Sequence, residues 1–194
     1  MSEALALMQA WLARQGISDF APFESWIATG TVLRLEPGDV LVRAGEQHPW
    51  VYLVIEGLVR LYYITPEGKE RNKAFYGADQ LLGAVSATIS GAPASFHIDT
   101  LEPSTLVRAD FATFYRDAAE TPARAALLIQ LLADAFTRNE QREAALLTGN
   151  AEQRYRWVIA HEPHLLERVS QFHLASYLGI DAVSLSRIKR KVTR

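Results

Sequence analysis

The chain has 194 residues, 49% of them hydrophobic and 22% charged, a formal net charge of −2 and no cysteine. This is the composition of a globular chain with a core, long enough for one large or two small domains. The absence of cysteine excludes a disulfide framework, a thiolate zinc site, a cysteine-ligated iron–sulfur cluster and a cysteine nucleophile. No apolar run is long enough to span a bilayer, and the start lacks the basic-then-apolar pattern of a signal peptide, so cytoplasmic residence is expected. Charge is divided unevenly. Residues 151–194 hold eight Lys/Arg against four Asp/Glu, and the preceding 150 hold twelve against eighteen. A basic end behind an acidic body points to a polyanionic partner for that end.

The first stretch places Leu5, Met8, Trp11 and Leu12 at helical spacing, with Gly16 as a stop, and a second short helical piece is expected from Pro22 to Ala28. From Thr31 to about Ala109 the pattern becomes short β-branched and aromatic runs separated by glycine corners. "LYYITPEGKERNKAFY" reads as a hairpin turning at Pro66-Glu67-Gly68. Such spacing predicts a small antiparallel barrel or jelly roll. Helical periodicity then returns. A long helix is expected to begin with Thr121 as N-cap and Pro122 as its first residue, and to end at Gly149. Leu128, Leu132, Ala135, Asn139, Arg142 and Leu146 follow a coiled-coil spacing, which predicts a parallel dimer through this helix. A shorter helix follows, with Tyr155, Val158 and Ile159 expected to face inward and Pro163 ending it. The five histidines form no recognised metal pattern, and His161 and His164 read as surface residues.

The twenty residues from Gln171 to Arg190 carry the most specific local signal. Leu174, Leu178, Ile180, Leu185 and Ile188 are apolar, Ala175 is small where two helices would cross, and Gly179 stands where the chain must turn. Asp181 is suited to cap a following helix by accepting from the amide of Val183 or Ser184. This predicts a helix-turn-helix whose second helix enters a DNA major groove. Ala182, Val183, Ser186, Arg187 and Arg190 are left on its open side. Arg187 can pair bidentately with guanine, and Val183 can touch a thymine methyl. Ser184 and Ser186 are short donors to phosphates or base edges. Lys189, Arg190, Lys191 and Arg194 supply phosphate contacts, and Gln171 and His173 lie where a first helix meets the backbone.

The order β-roll, long helix, short helix, helix-turn-helix resembles the Crp/Fnr family of bacterial transcription regulators. The resemblance rests on "LEPGDVLVRAGEQHPWVYLVIEGLVRLYYITPEGKE", "DQLLGAVSATISGAPASF" and "LASYLGIDAVSLSRIKRK", and covers about Thr31 to Lys191. It implies an α+β fold: an antiparallel β-roll of jelly-roll, cyclic-nucleotide-binding-like type with a long dimerisation helix and a C-terminal helix-turn-helix lacking most of its wing. The expected division is a sensory domain over 1–120, the dimerisation helix over 121–149 and the DNA-binding domain over 150–194. The resemblance further implies a homodimer on a pseudo-palindromic DNA site, with RNA polymerase as a further candidate partner.

Two departures sharpen the expectation. In cyclic-nucleotide-binding members a Gly-Glu pair holds the ribose, and an Arg followed by a small hydroxyl residue neutralises the phosphate. Gly83 and Ser95 match here, but the glutamate position is Ala84 and the arginine position is Ala94. Losing a charge-assisted partner of a buried phosphate costs on the order of 2–5 kcal/mol, so cyclic AMP is disfavoured as effector. The haem-binding members use a histidine, for which His97 is the candidate in this region. The effector pocket is expected at Gly83, Ala84, Val85, Ala94 and Ser95, with Arg138 or Asn139 approaching from the long helix. Arg60, Arg71 and Lys73 are the cations that would substitute for the missing arginine. The early base-reading positions of the cyclic-AMP-responsive members are Ala182 and Val183 here, and only the later Arg187 is retained. The target sequence is therefore expected to differ. No phosphate-binding loop, nucleophile elbow or metal cluster is present in the sequence, so no catalytic or metal residue is assigned. A ligand-binding or protein-interaction module with a degenerate DNA-binding domain is the alternative.

Overall fold

The structure, a computed structural model, describes residues 2–118 and 121–192. Helix α1 (Glu3–Arg14), a 3₁₀ turn (Ala21–Phe23) and α2 (Glu24–Ile27) lead into β1 (Thr31–Leu35), β2 (Val40–Val42), β3 (Trp50–Glu56), β4 (Val59–Ile64), β5 (Glu70–Tyr76) and β6 (Leu81–Gly83). Then come α3 (Val85–Ser90), β7 (His97–Thr100), β8 (Ser104–Asp110), α4 (Phe111–Ala118), α5 (Pro122–Thr148), α6 (Ala151–His161), α7 (Leu165–Arg168), α8 (Gln171–Leu178) and α9 (Ala182–Val192). The chain divides into two compact units, Met1–Tyr63 with Ala74–Gln130, and Ile64–Lys73 with Leu131–Arg194.

The first unit is the β-roll. One four-stranded sheet has the order β1-β8-β3-β6 and the other β2-β7-β4-β5. Strand β8 pairs antiparallel with both β1 and β3, with Leu106 opposite Leu33 on one side and Val54 on the other. Alternation therefore sends Tyr52, Val54 and Leu106 to one face, where they join Val42, Val59, Leu61, Ala74, Phe96 and Ile98 in one apolar core. The residues between them, Val51, Leu53 and Val107, are buried too. That places cover on both faces of β3. Part of the helical cover is aromatic: Trp11 and Trp26 meet edge to face at 6.3 Å, and Trp26 lies 4.5 Å from Phe114. Helix α1 is capped by Ser2, whose hydroxyl accepts from the Leu5 amide at 3.2 Å.

The second unit is helical, joined by the outer end of the β4–β5 hairpin. That hairpin turns where predicted, with the Gly68 amide donating to the Thr65 carbonyl at 2.9 Å. Helix α5 has 27 residues and so runs for about 40 Å. Its end at Thr148 is followed by Asn150, which caps α6 in a reciprocal box with Gln153. Within this unit Tyr155, Val158, Leu165, Leu174, Ala175, Leu178 and Leu185 are buried.

One expectation about a helical face is corrected. Ile159 is 37% exposed, because Tyr155 and Val158 already fill the inward stripe of the short α6. On α5 the exposed large apolar residues are Ile129, Leu132, Phe136 and Leu147, of which Leu132 belongs to the predicted seam. Of the other seam residues, Leu128 is buried, Ala135, Arg142 and Leu146 are half-buried and Asn139 is exposed. A 3.6-residue helix offers two neighbouring stripes, and which one is covered depends on the tertiary partner. Among the described residues no helix is long and apolar enough to cross a membrane.

Candidate nucleic-acid interface and effector region

The C-terminal motif is built as a tight helix–turn–helix. Ser170 caps α8 by accepting from the His173 amide at 3.2 Å. Gly179 ends α8 in the left-handed conformation, φ +67°, and a Cβ there would meet Arg154 Nη1 at 3.3 Å, so both conformation and space favour glycine. Arg154 also donates to the Leu178 carbonyl at 3.1 Å, satisfying an end that α8 leaves open. Asp181 opens α9: its carboxylate accepts from the Ser184 amide at 2.7 Å and from the Ser184 hydroxyl at 2.8 Å. These hydrogen bonds hold the Asp181 carboxyl below its ordinary pKa. The small Ala175 is buried, as is Leu185, and Ile188 is half-buried.

The outer face of α9 is what remains. Val183 is 62% exposed, and Ala182, Arg187, Arg190 and Lys191 are exposed with it. Val183, Arg187 and Arg190 are spaced four and three apart and so form one stripe. Ser186 and Lys189 are half-buried beside it, and Gln171 is exposed at the start of α8. The hydroxyl of Ser184 is engaged by Asp181, so it serves the cap. His173 is half-buried and in contact with Asn72, so it faces inward more than toward a ligand. Lys191 pairs with Glu152 at 2.6 Å, an exposed contact that a phosphate could replace. Arg194 lies outside the described residues.

A second feature of this unit had no local signal in the sequence. The hairpin end is stitched to α8 through Asn72. The Asn72 amide donates to Ser176 Oγ at 3.0 Å, and that hydroxyl donates to the Glu70 carbonyl at 2.9 Å. Asn72 Nδ2 donates to the His173 carbonyl at 2.9 Å. Arg142 on α5 donates through Nη2 to the carbonyls of Asn72 and Tyr177, both at 3.0 Å, and lies 4.3 Å over the Tyr177 ring. Tyr177 donates to Glu162 at 2.8 Å, and its phenol is pushed up by burial and by that carboxylate.

In the roll, the expected effector residues fall into two groups. Ala84 and Ala94 are almost fully buried and belong to the apolar core with Tyr52, Ala87 and Phe96. Gly83 approaches β3 so closely that a Cβ would meet the Trp50 carbonyl oxygen at 2.9 Å. Val85 is half-buried at the start of α3, whereas Ser95 is exposed. Arg138, half-buried, and Asn139, exposed, belong to the second unit.

The charges of the roll are otherwise placed. Arg60 is engaged with Asp99 in a buried two-point ion pair, Nε to Oδ1 at 2.7 Å and Nη2 to Oδ2 at 2.8 Å, and lies 4.0 Å over Tyr62. A guanidinium matched in this way is not available to a phosphate. Arg71 is exposed. His97 stacks on Tyr62 at 5.1 Å and its Nδ1 accepts from the Ala44 amide at 3.4 Å. The cation that sequence reasoning overlooked is Arg108. It stands directly across from Tyr52, its guanidinium lies 4.6 Å over Trp50, and its buried Nε has no hydrogen-bond partner. Tyr52 hydrogen-bonds His48 Nε2 at 2.6 Å. Burial pushes the Tyr52 phenol up to about 12 and lowers the His48 pKa. Only the pairing register reveals this grouping. Among the described residues no cluster of three or more His, Asp or Glu could hold a metal.

The family description of the cyclic nucleotide-binding domain matches residues 32–119. No curated protein matches the sequence. Among solved structures, FixK2 from Bradyrhizobium japonicum aligns with a TM-score of 0.73 at 17% identity, covering 84% of each chain. The c-di-GMP-responsive global regulator CLP from Xanthomonas campestris aligns at 0.70 and 17% identity, covering 90% of this chain and 92% of its own. A structure described as a transcriptional regulator of the Crp/Fnr family from Eubacterium rectale aligns at 0.74 and 12% identity, covering 95% and 88%. Roll, long helix and C-terminal helices are thus shared along nearly the whole chain: residues 32–119 match the cyclic nucleotide-binding domain description, and the protein has the fold of the Crp/Fnr transcription regulators.

Proposed function

We propose that the chain is a dimeric, effector-responsive DNA-binding regulator that reads a pseudo-palindromic site with α9. The sensory domain spans residues 1–120, the dimerisation helix 121–149 and the DNA-binding domain 150–194. The observation that carries the reading is the capped, exposed α9 with Val183, Arg187 and Arg190 in one stripe behind a Gly179 turn. Arg187 supplies the base contact and Arg190 and Lys191 the phosphate contacts. The exposed stripe Ile129, Leu132, Phe136 and Leu147 supports pairing of two α5 helices about a two-fold axis. RNA polymerase is a further partner by analogy with regulators of this fold.

The effector is not cyclic AMP held in the usual way. Alanine stands at both polar anchor positions, and both alanines are packed into the apolar core. Arg187→Ala should cost about 1–3 kcal/mol on the preferred DNA and relax preference at one base pair per half-site. Lys191→Ala should weaken all sequences alike and flatten the salt dependence. Equal losses on specific and random DNA for Arg187→Ala would remove this residue from base reading. The interaction-module reading is favoured only by Ala182 and Val183 standing at the family's early base-reading positions. Truncation after Leu178 separates the two: a regulator loses DNA binding, whereas an interaction module keeps its partner.

A further inference from the structure

Arg108 is a cation on the core-facing side of a sheet. It stands two residues after Leu106 on β8, and alternation returns it to the face on which Leu106, Tyr52 and Val54 join the core. Its register partners are Tyr52 on β3 and Thr31 on β1, and directly opposed side chains lie about 5 Å apart at Cβ. The guanidinium lies 4.6 Å over Trp50, which packs against the core. His48 stacks on Tyr52 at 5.6 Å and its Nε2 lies 2.6 Å from the Tyr52 hydroxyl. One arginine is thus grouped with three rings.

No counter-charge is built in. Among the described residues Arg108 makes no hydrogen bond and no ion pair, and its Nε is buried. Asp110, opposite Trp50, commits its carboxylate to the start of α4, accepting from the Thr113 amide and hydroxyl at 3.0 Å each. Glu46 acts on His48 but is exposed. The Tyr52 phenol, pushed up to about 12 by burial, stays neutral. Arg60 in the same roll shows the contrast, since Asp99 matches its fork at two points. A partly buried guanidinium without a partner is costly, and an anion on its fork removes that cost.

We propose that Arg108, Trp50 and Tyr52 form a site for a small organic carboxylate with a flat apolar body. The guanidinium takes the planar carboxylate, whose single charge matches the single cation, and the rings supply the apolar wall. A phosphate monoester carries a charge of about −1.5 to −2 near neutral pH, more than one guanidinium matches. None of the three residues is among the alanine-lined positions expected from the sequence. That the carboxylate acts as effector rests on the reading of the chain as an effector-responsive regulator; binding itself does not.

The test is calorimetric titration of the full chain with benzoate, together with thermal melting. Benzamide is the uncharged isostere and inorganic phosphate the competing anion, at matched ionic strength. Wild type should bind benzoate saturably and melt at a higher temperature in its presence. Benzamide and phosphate should each bind at least about tenfold more weakly. Arg108→Met keeps an apolar stem over Trp50 and removes the fork. It should lower benzoate affinity at least about tenfold and, because no partner is lost, melt without ligand no lower than wild type. Arg108→Lys keeps the charge without the fork and should also bind benzoate less tightly. No saturable benzoate binding, equal binding of benzamide, tighter binding of phosphate, or wild-type affinity in Arg108→Met overturns the site. A ligand-free Arg108→Met that melts clearly lower shows Arg108 paired within the fold, and overturns it too. DNA binding by ligand-free wild type is measured alongside, so that failure of the regulator reading is seen separately.

Discussion

Ser176→Ala removes the hydroxyl that joins the hairpin end to α8, the first helix of the helix–turn–helix. Ser176 Oγ both accepts from the Asn72 amide and donates to the Glu70 carbonyl, at 3.0 and 2.9 Å. Ser176 is 9% exposed and Asn72 3%, so water does not readily replace the lost group. The lost hydrogen bond to Glu70 costs about 1 kcal/mol, and the orphaned Asn72 amide adds about 1–3 kcal/mol. The expected total is about 2–4 kcal/mol, a large share of a domain's stability. Urea unfolding reads the total, and amide hydrogen exchange at Asn72 reads its location. Ser170→Ala is the control: it removes the cap of α8, worth about 1 kcal/mol, without touching the Asn72 amide. If Ser176→Ala loses less than about 0.5 kcal/mol, the range of an ordinary surface substitution, and Asn72 exchanges as in wild type, the stitched joint does not exist in solution.

Further expectations concern the long helix and the roll. Phe136→Glu, at a position 64% exposed on α5, should weaken self-association by about 3 kcal/mol or more, because a two-fold interface meets the change twice. Sedimentation equilibrium checks this, and an unchanged dimer constant would remove α5 from the interface. Ala84→Glu with Ala94→Arg restores the family's polar anchors. Both sites are 2% exposed or less, so the charged pair should destabilise the roll by several kcal/mol and confer no micromolar cyclic AMP affinity. A stable double variant that binds cyclic AMP would show that the pocket is present and lacked only its anchors.

Local chemistry made much of this molecule legible. Pro122, Gly68, Gly179 and Asp181 each fix a backbone feature by themselves, and each stands where its residue type predicts. Alternation and glycine corners were enough for the roll. What escaped was set by distant partners. The Asn72–Ser176 bond spans 104 residues of sequence. Arg60 had the same appearance in the sequence as any cation of a strand until β7 placed Asp99 beside it. Ile159 failed for the same reason, since a helix's periodicity defines stripes but not which stripe is covered. At the candidate sites, the exposed face of α9 followed from spacing alone, whereas Arg108 became visible only through its register with Tyr52.

The central claim is that α9 of a two-fold dimer reads DNA. Selection of duplexes from a random pool by the full-length protein, followed by sequencing, tests it most directly. The account predicts an enriched inverted repeat whose half-sites lie about 34 Å apart, one helical turn, with a strong salt dependence of binding. Enrichment of no repeat, together with salt-independent retention, would contradict it.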